Sequence, residues 1–146
     1  MSISTWLQDL SKKQFLWEIY HLNIDLGQII VNLPKKYKLN YGDKLIQLGM
    51  KILEEAITGN EIRATNEAEY QRRTLHLKEA RAGLYAMAAE ADIFLKICES
   101  SPEVEKTKLN KNRKKLGDRL NKCGNLIDAV IASDKKRFMS NLYKYG

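Results

Sequence analysis

Residues 66–98 read NEAEYQRRTLHLKEARAGLYAMAAEADIFLKIC. Tyr70, Leu77, Leu84, Met87, Ala91, Phe94/Leu95 and Cys98 return at three-, four- and seven-residue intervals, which lines them along one face of an α-helix. Asn66 stands where an N-cap belongs, and Glu67 and Glu69 suit the positive end of the helix dipole. Ala80, Ala82, Ala86, Ala88 and Ala89 keep part of this helix small. Small residues let a neighbouring helix approach closely, within a bundle or across a subunit interface.

Working outward, three more segments carry apolar residues at helical spacing. A first helix is expected over about 11–33, with the stripe Phe15, Ile19, Leu22, Leu26, Ile29 and Leu33. The preceding stretch, with Trp6 and Leu7, extends it or packs as a separate turn. Pro34 ends it, because the residue before a proline is pushed out of the α region. A short basic linker follows, Pro34-Lys35-Lys36-Tyr37-Lys38-Leu39-Asn40-Tyr41-Gly42. A second helix is expected over about 43–57, on Leu45, Leu48, Ile52 and Ala56, with Gly59-Asn60 as its stop. A fourth is expected over about 102–132, on Leu109, Leu116, Leu120, Cys123, Ile127 and Val130/Ile131. Ser101 can cap it with Pro102 in the first turn, or Ser100 and Glu103 form a capping box. The basic, Tyr-rich tail 133–146 either continues this helix or forms a docking arm.

No segment alternates with period two, so the fold class expected is all-α. One domain, 1–146, is predicted: an antiparallel up-down-up-down four-helix bundle with mostly short links. The chain has 146 residues, 44% of them hydrophobic, with two prolines and eight glycines, which permits one core and long elements. There is no signal-peptide pattern and no apolar run long enough to span a membrane, so a cytoplasmic protein without a membrane role is expected.

Catalytic patterns are sparse. Glu18-Ile19-Tyr20-His21 is a single E-x-x-H, whereas di-iron bundles need two, plus two more inward Glu. Cys98 and Cys123 make no C-x-x-C and fall on core stripes. No phosphate-cradling glycine motif occurs. Arg72 and His76 lie one residue short of the Arg/His spacing of helical HEPN-type ribonucleases. The expectation is a non-enzyme with no cofactor and no metal.

Charge is more informative. The net charge is +7. Residues 102–146 hold twelve Lys or Arg against five Asp or Glu, while residues 1–101 hold thirteen of each. The whole excess therefore lies in the last third, which points to a polyanionic partner or to a solvated helix face. Lys108, Lys111, Lys115, Arg119 and Lys122 fall along one face of the fourth helix, and Arg113 and Lys114 broaden it. Like charges four apart cost a helix a few tenths of a kcal/mol each. Such a face fits RNA or DNA, where each neutralised phosphate releases counterions, or an acidic protein. Lys35, Lys36 and Lys38 extend it, as does Lys135-Lys136-Arg137.

These features together resemble one family. Its marks here are Leu33-Pro34-Lys35, the Leu39-x-x-Gly42 turn before a Leu/Ile-rich helix, Arg72/Arg73 ahead of Leu77-x-x-Ala80, and Gly124-x-x-Ile127. The family is the four-helix-bundle proteins encoded in intervening sequences of 23S ribosomal RNA genes, including the accessory variability determinant (Avd) proteins of diversity-generating retroelements. Members often close with Gly-Gly-Trp, where this chain has Gly124-Asn125-Leu126. The resemblance implies a homo-oligomer, specifically a homopentamer. It also implies association with a reverse transcriptase and its template RNA, DNA or RNA/DNA hybrid, in support of mutagenic cDNA synthesis. It assigns binding to Lys35, Lys36, Lys38, Arg72, Arg73 and the stripe Lys108, Lys111, Arg113, Lys114, Lys115, Arg119 and Lys122. A ribosomal intervening-sequence protein of structural role and a HEPN-like ribonuclease are the alternative readings.

Overall fold

The fold is described from a computed structural model over residues 2–145, with side chains described as far as residue 140. Helices occupy Ile3–Ser11 (α1), Gln14–Val31 (α2), Lys35–Tyr37 (α3), Asp43–Glu61 (α4), Glu67–Glu99 (α5) and Lys106–Tyr145 (α6). A π-helical turn, Lys38–Gly42, joins α3 to α4. No strand occurs among the described residues, so the protein is all-α.

Three boundaries differ from the sequence expectation, each for a local reason. The stretch before the first expected helix packs as a separate element, one of the two alternatives, and the break falls at Lys12 and Lys13, so that the expected helix starts at Gln14 and not near 11, with no proline or glycine to cause it. The Ser11 hydroxyl donates back to the Gln8 carbonyl at 2.7 Å, and Lys13 turns extended to start α2. Gly59-Asn60 does not stop the second helix, which runs to Glu61. Gly59 is buried, and a Cβ there would lie 3.1 Å from a Leu77 methyl. Pro102 does not open the last helix either. Ser101 is buried with its hydroxyl 3.4 Å from the Glu103 amide, and α6 begins at Lys106. It then absorbs the tail as far as Tyr145. The Leu142, Tyr143 and Tyr145 side chains of the expected docking arm lie outside the described residues.

The Asn66 cap is observed, its side chain accepting from the Glu69 amide at 2.9 Å. Glu69 in turn accepts from the Thr65 hydroxyl at 2.7 Å, and this bond chiefly holds its carboxyl below the ordinary value. The four long helices pack in a closed cycle: α2 on α4 and α6, and α5 on α4 and α6. Their shared core contains Ile19, Leu22, Ile52, Leu77, Met87 and Ile127 at 0–1% exposure. Burying each such side chain contributes about 1.5–3 kcal/mol. Helix α1 packs on α2 and leaves Ile3 and Trp6 exposed.

Candidate nucleic-acid interface

The basic face of α6 divides into two sets of cations. On the side toward α2, three of them meet two buried carboxylates. Arg119 donates to Glu18 Oε2 through Nη1, and to Asp25 Oδ2 through Nε at 3.0 Å. Lys122 lies 3.0 Å from Glu18, and Lys115 lies 3.5 Å from Asp25. As α2 ascends from 18 to 25, its partners on α6 descend from 122 to 115. Burial raises the Glu18 carboxyl, but the hydrogen bonds from Lys122 and Arg119, with their charges, outweigh it and leave it below its ordinary value. Arg113 turns toward α5 instead, 3.7 Å from Asp92 and 3.6 Å from Glu99.

The second set points to solvent. Lys108, Lys111 and Lys114 are exposed and have no ion-pair partner among the described residues, as are Lys106, Lys135 and Lys136. The cations expected in the first linker are near the start of this face. Lys35 and Lys36 are exposed, with Lys36 Nζ 5.0 Å from the Tyr37 ring centre, and Lys38 is half-buried. Pro34 and Lys108 line one cavity together with Glu103 and Glu105. The linker and the first turn of α6 thus share one end of the molecule.

Arg72 and Arg73 belong to the other end. Arg72 is exposed. Arg73 is largely committed to the fold. Its Nε donates to the buried Asp134 at 2.6 Å, and its Nη1 donates to the carbonyls of Gly59, Asn60 and Ile62 at 3.2, 3.2 and 3.4 Å. These carbonyls close α4, where a helix dipole favours a cation. This guanidinium joins α4, α5 and α6 at one point.

The remaining candidates for chemistry are also engaged. Glu18 faces its cations, while His21 packs edge-on against Trp17 and Tyr20, at 4.8 and 5.3 Å between ring centres. His76 Nδ1 lies 2.7 Å from Glu55 Oε2 on α4. Burial pushes the Cys123 thiol up to about 12, with the negative charge of Glu18 adding to it, and burial also raises Cys98. Among the described residues no group of three His, Cys, Asp or Glu side chains converges to hold a metal, and no helix is long and apolar enough to cross a membrane.

Spacing alone identified the basic face but not its buried counter-charges. The available signal was that Glu18 and Asp25 are the sole acids of α2 and lie seven residues apart, the same interval as Lys115 and Lys122. Fold and site together define an all-α protein with a two-layered basic face. No family model matches the chain, and no curated protein and no solved structure matches it.

Proposed function

We propose that this chain is a non-catalytic accessory subunit that binds a reverse transcriptase and its template RNA, as the Avd resemblance implies. The observation that carries the reading is the localised charge: the +7 excess lies within residues 102–146, and six exposed lysines of α6 have no ion-pair partner among the described residues. A phosphate backbone is the partner that rewards such a face, through counterion release at each contact. The finer architecture belongs to the same reading: an antiparallel up-down-up-down bundle that assembles into a homo-oligomer. The closed cycle of helix contacts and the descending order of α6 partners along α2 support the antiparallel arrangement.

The test follows the division between paired and free cations. Lys108→Glu, Lys111→Glu and Lys114→Glu together remove free charges and no observed ion pair. RNA binding is expected to weaken steeply at 50 mM salt. The slope of log affinity against log salt is expected to fall by about 2, since each lost single-strand contact is worth about 0.7. Circular dichroism is expected to stay unchanged. An unchanged affinity and salt slope in this variant overturn the reading.

A further inference from the structure

A second concentration of positive charge lies at the end of the molecule away from the Pro34–Lys108 cavity. There a cavity of about 360 Å³ is walled by Lys13, Arg63, Arg73 and Arg137, with Asn60 and Phe138 beside them. An adjoining cavity of about 330 Å³ shares Lys13, Asn60, Arg73 and Arg137 and adds Lys12. Such volumes fall at the lower end of the small-molecule range. Four separate segments supply these cations: the α1–α2 junction, the α4–α5 link, the start of α5 and the far part of α6.

The charge here is not cancelled. Asp134 is the one acid among the lining residues, and both its oxygens are occupied, by Arg73 Nε at 2.6 Å and Arg137 Nη2 at 2.8 Å. Lys13 and Arg63 are exposed and have no ion-pair partner among the described residues. The cavity therefore holds an excess of about two cations beyond the Arg73–Asp134–Arg137 cluster. Phe138 lies flat against Tyr70, 4.2 Å between ring centres and 4° apart, and gives the cavity an apolar wall. A concave site with forked guanidinium donors, a lysine and an apolar wall suits a phosphate group on an organic body.

The geometry points to a phosphoryl-binding site in this end cavity that takes a nucleotide phosphate, with Arg63 and Lys13 as its free cations and Arg137 beside them. This deepens the nucleic-acid reading, on which a strand end is the expected source, but the cavity is separate from the Lys108–Lys114 face. Arg73 sets the shape of the site and is not the residue to alter.

The test is calorimetric titration with uridine 5′-monophosphate and with uridine. The wild-type chain is expected to bind the nucleotide at least tenfold more tightly than the nucleoside. Lys13→Glu with Arg63→Glu is expected to weaken nucleotide binding tenfold or more at unchanged helicity, while the Lys108/Lys111/Lys114 variant keeps it. Competition by short RNA with a 5′-phosphate, but not a 5′-hydroxyl, identifies a strand end as the source; competition by neither leaves the free nucleotide as the ligand. Equal binding of nucleotide and nucleoside, or nucleotide binding untouched in the Lys13/Arg63 variant, overturns the site. Loss of this site with RNA binding intact leaves the functional reading standing; the converse result removes that reading and keeps the cavity.

Discussion

Arg119→Met separates a structural role from a ligand-binding one. Arg119 joins Glu18 and Asp25, whose side chains are 10% and 7% exposed. Removing one partner of a buried ion pair costs about 3–5 kcal/mol, because a charge is left without compensation. Here Lys122 and Lys115 remain at 3.0 and 3.5 Å, but their side chains are more than half exposed, so they compensate only in part. The expected loss at pH 7 is about 2–3 kcal/mol. For a chain of this length that lowers the melting temperature by roughly 4–12 °C. The pH dependence carries a sign. Folding holds Glu18 below its ordinary value of 4.5, so its stabilising contribution is complete above that value and disappears as pH falls through the lower folded value. The gap between wild type and variant is therefore expected to close on acidification below that range. Urea denaturation followed by far-ultraviolet circular dichroism, in steps from pH 7 to pH 2, measures it. A gap under about 1 kcal/mol at pH 7, or one that persists unchanged at the lowest pH, refutes the buried-pair account.

Two further outcomes follow from packing and burial. A Cβ at Gly83 would lie 2.6 Å from Cγ1 of the buried Ile52, whereas a Cβ at Gly117 would meet nothing within 4 Å. Gly83→Ala is thus expected to cost about 1–3 kcal/mol and Gly117→Ala to add about 0.5–1 kcal/mol, so melting temperatures that move in the same direction contradict the packing explanation. With Cys123 pushed up to about 12 and Cys98 also raised, both buried, neither thiol is expected to react with a disulfide reagent at pH 8 until the chain is unfolded in urea. Rapid reaction of either thiol in the folded chain is the contrary result.

The long elements were legible because their signals are local. The α5 stripe and the Asn66 cap lie within one segment, and the observed helix Glu67–Glu99 follows them closely. The interruptions were not legible, because distant residues decide them. Gly59 is a helix-stopping residue by its own preferences, yet the carbonyls at that end receive a guanidinium from fourteen residues further on. The expected linker 34–42 is largely helical, leading through the π turn into α4, with Gly42 buried where a Cβ would meet an Ile30 methyl. The basic face was visible as a pattern, but helical periodicity gives direction and not partners. Arg119 and Lys108 have equivalent places in the pattern; only the position of α2 tells them apart. Arg73 and Arg137 stood out as basic positions, but their convergence with Lys13 and Arg63 on one cavity was not legible, since these cations come from four separate places in the chain.

The α2–α6 seam has one further consequence. Stripes of Leu and Ile repeating every three or four residues are nearly self-similar, and two such helices can slide by a turn, about 5.4 Å, while keeping apolar contact. The cations of α6 also recur at each turn, but among those on the seam only Arg119 carries a forked guanidinium, and it holds both buried carboxylates at once. Two acids seven residues apart meet cations at 115, 119 and 122, and a one-turn slide takes at least one buried carboxylate away from its guanidinium. The cluster works as a vernier: it fixes alignment, and through alignment it sets where the free lysines on the outer side of α6 stand in space.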